Sequence, residues 1–179
     1  MDKITKLMRI ENQWKYKTIK DAEKEAEAVQ AFTKRIAKRN NWACKAMIVV
    51  SEHSLKNCAP VIEKNSNKGR PKRIFLPKNK IIGIKKKQPH LHILVYANPA
   101  ETITSQIVRN INERHRRKYT YCKKRTISRK KPVTDDSNYY IGYVMHQMTS
   151  YRSVDVDNNE ILSNFDFKEE YKKAQSKLF

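Results

Sequence analysis

The chain has 179 residues, with 39 Lys plus Arg against 18 Asp plus Glu, giving a formal net charge of +21. No apolar run approaches the roughly 18 to 20 residues that a spanning helix needs, so no membrane partner is expected. With only 3 Gly and 6 Pro, it is not a linker or low-complexity protein, and its length fits one domain.

Charge of this size repels itself in a compact fold and calls for a polyanion. Nucleic acid is the expected one, because Lys and Arg gain affinity for its phosphates by releasing counterions. An acidic membrane surface would instead call for a basic amphipathic helix or a lipidation signal. Position 2 is Asp rather than Gly.

In chain order, residues 1–41 read as a helical N-terminal extension. Residues 21–38 are rich in good helix formers. Ala22, Ala26, Val29, Phe32 and Ile36 give the segment a buried stripe. Residues 42–152 read as the main domain. The run 44–51, apolar and β-branched, predicts a central strand. Residues 55–88 are basic and broken, with a loop near 65–73 and short strands at 74–76 and 81–84.

A second strand over 90–96 puts His90, His92 and Leu94 on one face and Leu91, Ile93 and Val95 on the other. A helix follows over about 101–117, with Ile103, Ile107, Val108 and Ile111 inward. Residues 119–127 predict a basic strand, 130–137 a loop, and 138–148 a short helix. Residues 153–179 form a tail, with a loop around Asp155 and an amphipathic helix from Phe165. The predicted class is α/β (α+β): a central, mainly antiparallel sheet with flanking helices.

Cys44, Cys58 and Cys122 have no CxxC pairing, and the first thirty residues are charged throughout. Free thiols in a reducing cytoplasm are expected, and neither a secretory leader nor a thiolate zinc site is.

The chemistry concentrates in two places. His90 and His92, two apart on a strand, stand on one side and can share a divalent cation. Tyr139, Tyr143 and Gln147 recur at four-residue spacing on the short helix. A tyrosine hydroxyl can attack a phosphodiester whose phosphate a metal polarises. A nearby Gln can supply an oxygen ligand. Glu52 and His53 are alternatives for that third ligand, and the tyrosines could instead pack in a core.

Taken in order, the motif His90-Leu91-His92 and then Tyr143 with Gln147 resembles the HUH endonucleases, which cut single-stranded DNA. The tyrosine lies C-terminal to the histidines, as in rolling-circle replication initiators and single-tyrosine transposases of that superfamily. Residues 47–51 are similar to the initiators' upstream strand motif. Residues 140–146 fit their tyrosine motif, with His146 where Lys is usual. The Tyr-x-x-x-Gln spacing resembles the transposases.

The resemblance implies an HUH core of ferredoxin or RRM-like type. Tyr143 would be the nucleophile and Tyr139 a second one. His90, His92 and Gln147 would hold Mg²⁺ or Mn²⁺. A 5′-phosphotyrosine link and a free 3′-OH would follow, starting rolling-circle replication of a plasmid or phage in a bacterial cytoplasm. Tyr140 is expected to face the core. The DNA, single-stranded or a hairpin origin, would be bound by Arg70, Lys72, Arg73, Lys85, Lys86, Lys87, Arg114, Arg116, Arg117, Lys123, Lys124 and Arg125. His115 would lie on that basic surface. No Gly-x-x-x-x-Gly-Lys motif is present, so unwinding would need a host helicase. A non-catalytic nucleic-acid-binding protein is the rival from another class. The sequence leaves the oligomeric state open.

Overall fold

The computed structural model describes residues 4–12, 14–57, 61–62, 73–74, 81–118, 128–132 and 137–178. Its elements in chain order are β1 (Lys6–Asn12), α1 (Ile19–Arg39), β2 (Ala43–Asn57), β3 (Val61–Ile62), β4 (Arg73–Ile74) and β5 (Ile81–Asn98). Then come α2 (Ala100–Lys118), β6 (Ser128–Pro132), α3 (Ser137–His146), β7 (Ser150–Val156) and α4 (Phe167–Leu178). Five strands form one sheet in the order β6-β1-β5-β2-β7, and every pairing in it is antiparallel. β3 and β4 pair separately. The class is therefore α+β, a central antiparallel sheet with flanking helices. No helix among the described residues is long and apolar enough to cross a membrane.

β5 lies at the centre, and between Leu91 and Ala97 it buries apolar residues on both faces, as suits a strand covered on both sides. Leu91, Ile93, Val95 and Ala97 join Cys44, Ala46, Ile48 and Val50 of β2 beneath α1 and α2. These helices close that face with Ala22, Ala26, Val29 and Ile36, and with Ile103, Ile107 and Ile111. On the other face, Leu94, Met47, Val49 and Leu7 pack under Ile141, Val144 and Met145 of α3 and Phe167 of α4. The sheet is thus the middle of three layers.

The ends of α1 follow from side-chain chemistry. Thr18 caps its start by accepting the Asp21 N–H at 3.2 Å. At its end Asn41 takes the left-handed conformation, with φ 53°. That lets Trp42 donate to the Ala37 carbonyl at 2.9 Å and Asn41 to Lys38 at 3.2 Å. This pair of bonds stops a helix and turns the chain, here into β2.

Three segments depart from the sequence reading. Residues 6–12, expected within a helical extension, are β1, inserted between β6 and β5. The strand is short, interrupts its apolar residues with Arg9, and draws its order from a partner far along the chain. β7 occupies 150–156, where the stretch just after the short helix and the start of the tail, with its loop around Asp155, were expected. It is an edge strand that buries only Val154 and Val156, too little apolar alternation to signal itself. β6 falls largely on residues assigned to a loop. The strand expected over 119–127 lies outside the described residues, as do Cys58 and Cys122. Cys44 is a free, buried thiol.

Candidate active site

The sheet face under α3 carries His90 and His92, and the opposite face carries Leu91 and Ile93. On β2, Ser51 is the register partner of His90 and Val49 of His92. The two imidazoles meet edge to face, with ring centroids 4.9 Å apart. The His90 Nδ1–H donates to the Gln88 carbonyl at 2.8 Å. Since a carbonyl only accepts, the proton sits on Nδ1 and Nε2 keeps its lone pair. A backbone carbonyl on the far nitrogen is the usual way to orient a metal-binding histidine.

α3 lays its apolar residues on the sheet and turns Tyr140, Tyr143 and, just beyond its end, Gln147 toward the histidines. The Gln147 side-chain nitrogen lies 3.1 Å from His92 Nε2. Gln147 is 2% exposed. Its carbonyl accepts from the Ser51 hydroxyl, whose oxygen in turn accepts the His53 N–H at 3.1 Å. Thr149 donates to the Val50 carbonyl at 2.8 Å. The end of α3 is thus pinned to β2, and Gln147 is held at both backbone and side chain.

These groups line one cleft of about 220 Å³, which Ile10, Asn12, Lys15, Ser54, Lys87, Leu91 and Tyr140 complete. Burial is the main reason the His92 imidazole is pushed down to about 3, and His90, Lys15, Arg9 and Lys87 add to it. His90 is lowered by burial too. Its bond to Gln88 opposes the shift, and Lys15, Lys87 and His53 reinforce it. Both rings are therefore neutral at pH 7, the form that binds a metal.

Among the described residues, no three His, Cys, Asp or Glu side chains form a metal-binding group. A cation here would use His90, His92 and the Gln147 amide, whose carbonyl reaches the position of its nitrogen after a half-turn. Two neutral imidazoles and an amide oxygen suit a divalent cation, so the residues fit the group.

The structure brings together most of the expected site and corrects parts of it. His90, His92, Tyr143 and Gln147 share the cleft. Tyr140 packs against the core beneath α3, as expected, and also lines the cleft, stacked on Tyr143 at 6.4 Å with Arg9 4.6 Å over its own ring. At about 100° per residue, Tyr140, Tyr143 and Gln147 fall within roughly 60° of one another. The Tyr139 side chain lies outside the described residues. Glu52 and His53 do not line the cleft, although His53 acts on His90 through its charge.

The expected DNA-contact residues divide. Lys86 and Lys87 are exposed, and Lys87 lines the cleft. Arg114 instead pairs with Glu25 of α1 at 2.9 Å. His115 is not on a basic surface. It is 3% exposed, stacks on Trp14 at 4.4 Å, and takes a hydrogen bond from the Tyr16 hydroxyl at 3.1 Å. Its position completes the inward stripe of α2 at four-residue spacing from Ile111, which the flanking arginines obscure. Arg70, Lys72, Lys123, Lys124 and Arg125, and the side chains of Arg73, Lys85, Arg116 and Arg117, lie outside the described residues.

Sequence reasoning missed Lys15, Arg9 and Asn12, all from the N-terminal segment. The pairing of β1 with β5 brings Arg9 and Asn12 to the histidines, and the bond from the Tyr16 N–H to the Pro89 carbonyl ties the segment with Lys15 to β5; no local motif announces either. A scan against protein-family models and searches of curated proteins and of solved structures find no match to this chain.

Proposed function

We propose that the protein is a metal-dependent endonuclease of the HUH type that nicks and rejoins single-stranded DNA through Tyr143. One observation carries the reading: two neutral histidines on the central strand share a cleft with a tyrosine of α3 and a glutamine just beyond its end. A core role for the tyrosines does not explain why Gln147 reaches His92 at 3.1 Å.

A divalent cation, Mg²⁺ or Mn²⁺, held by His90, His92 and Gln147 would supply Lewis-acid polarisation of the scissile phosphate. The chain's own groups do the rest. The Tyr143 oxygen gives up its proton and forms a bond to phosphorus, and the P–O3′ bond breaks. The leaving O3′ takes a proton and becomes a free 3′-OH. The 5′-phosphotyrosine keeps the phosphodiester energy for rejoining. Arg9, Lys15 and Lys87 make the surroundings cationic, which draws in the DNA backbone.

Starting rolling-circle replication of a plasmid or phage is the task we assign, on single-stranded or hairpin origin DNA, with a host helicase to unwind. A bacterial cytoplasm is the compartment this implies, and the free Cys44 thiol suits it. The Gln147 contact favours a second reading, a single-tyrosine transposase with the same chemistry.

The test is denaturing electrophoresis after mixing the protein with labelled single strands from its own genetic element. A covalent adduct should form with Mn²⁺, vanish with EDTA, and be absent in Tyr143→Phe. Tight binding with no adduct on any cognate strand would instead make this a non-catalytic binding protein.

A further inference from the structure

Residues 47–51 of β2 hold no group that the proposed chemistry uses, yet they end beside the histidines. Met47 and Val49 pack with Ile141, Val144 and Met145 of α3. Ile48 and Val50 point the other way, beneath α1 and α2. This alternation carries Ser51 to the α3 face, next to its register partner His90. Ser51 is fully buried, and a hydroxyl survives in such a place through its hydrogen bonds.

Those bonds join two segments. The Ser51 hydroxyl donates to the Gln147 carbonyl, which is nearer than the His53 carbonyl at 3.1 Å. The same oxygen accepts the His53 N–H at 3.1 Å, just where the register of β2 against β5 shifts. Gln147 lies one residue past the end of α3 at His146. Carbonyls at a helix end have no partner within the helix, and Ser51 supplies one for Gln147. A glutamine amide sits at the end of three rotatable bonds, so its position follows from where its backbone is held. Here the side-chain nitrogen reaches His92 Nε2 at 3.1 Å.

We infer that Ser51 is a positioning residue: it fixes the Gln147 backbone so that the side-chain amide meets His92, and through Gln147 it sets how tightly the cleft holds a divalent cation. That the amide serves a cation rests on the metal-dependent reading; its placement by Ser51 rests on the geometry.

Two readouts separate the claims. The first is metal-free: nuclear magnetic resonance of ¹⁵N-labelled protein in EDTA, with the Gln147 side-chain amide assigned by its loss in Gln147→Leu. The wild-type signals should stand apart from those of a free glutamine, and in Ser51→Ala they should collapse onto them. Ser51→Thr, which keeps the hydroxyl, should preserve them. The second is Mn²⁺ affinity by calorimetry without DNA. Ser51→Ala should lower it at least about tenfold, as loss of a group supporting a ligand does. In a Gln147→Leu background the same change should cost less than about twofold, because the group Ser51 acts through is gone. Ile36→Val, a core substitution under α1 on the opposite sheet face, should leave both readouts as in the wild type.

A Ser51→Ala protein that keeps both the amide signals and the Mn²⁺ affinity overturns the assignment and leaves the metal site standing. An equal loss of affinity in both backgrounds also overturns it, since that is the mark of a merely structural role. A wild type that binds no Mn²⁺, with amide signals that collapse in Ser51→Ala, upholds the positioning and removes the metal site.

Discussion

His115 offers a sharp test of how α2 is joined to the site, because sequence and structure place it in opposite environments. The perturbation is His115→Ala. In the structure three hydrogen bonds run head to tail. Asn12 donates to the Tyr16 hydroxyl at 3.3 Å, the hydroxyl donates to His115 Nε2 at 3.1 Å, and His115 Nδ1–H donates to the Ile111 carbonyl at 2.6 Å. Truncation removes the stack on Trp14, worth about 0.5–1.5 kcal/mol. It also removes the bond from Tyr16, worth about 1 kcal/mol, and leaves the buried hydroxyl short of an acceptor at a further ~1 kcal/mol or more. The expected loss is about 2–4 kcal/mol, which for a chain of this size lowers Tm by roughly 4–16 °C. Urea and thermal unfolding read the loss. A double-mutant cycle with Tyr16→Phe should return a coupling of about 1 kcal/mol. A His115→Ala protein within about 0.5 kcal/mol of wild type, the behaviour of an exposed position, would refute the buried network and the anchoring of residues 14–16.

Other outcomes follow from the same contacts. Gln147→Leu strips His92 of its partner. Calorimetry should show Mn²⁺ affinity reduced at least about tenfold, with a stability loss of about 1–3 kcal/mol; unchanged Mn²⁺ affinity would remove Gln147 from the ligand set. Tyr140→Phe keeps the ring that Arg9 covers, so stability should hold within about 0.5 kcal/mol and the adduct should still form; an adduct lost in this variant would make Tyr140 the nucleophile. Burial, reinforced by Asp155, raises the Cys44 thiol from 9.0 to about 12. The fold therefore favours the protonated thiol, so its contribution is complete below pH 9 and falls as pH rises from 9 toward 12. The slope reaches at most about 1.4 kcal/mol per pH unit. Unfolding free energies of wild type and Cys44→Ala should converge or cross over that range; a difference that stays constant would contradict the assignment.

The parts of the fold that were legible in the sequence are those whose signal is local. The stripe of α1 from Ala22 to Ile36, the inward face of α2 and the two central strands each carry their period within one segment. The His90–His92 pair was legible for the same reason, since two residues on one strand share a face whatever the strand pairs with. Gln147 was legible because it follows Tyr143 at helical spacing. β1 and β7 were not, because each depends on a partner distant in sequence: β1 on β5, and β7 on β2. Arg9 was hidden with β1, and Lys15 with the segment that follows it, since their place at the histidines exists only once these residues meet β5. Tyr140 packs on the core as expected, and its second role in lining the cleft was hidden because the four-residue stripe through Tyr143 and Gln147 passes it by. His115 was misplaced because three neighbouring arginines outweighed its spacing from Ile111.

The central claim is that a tyrosine of α3 becomes covalently joined to DNA, and peptide mapping tests it most directly. The protein is incubated with its cognate single strand and Mn²⁺, digested with protease and nuclease, and analysed by tandem mass spectrometry. The account predicts a nucleotide remnant on Tyr143, absent from Tyr139 and Tyr140 and absent when EDTA replaces the metal. A strand that is bound tightly, with all three tyrosines unmodified, would contradict it.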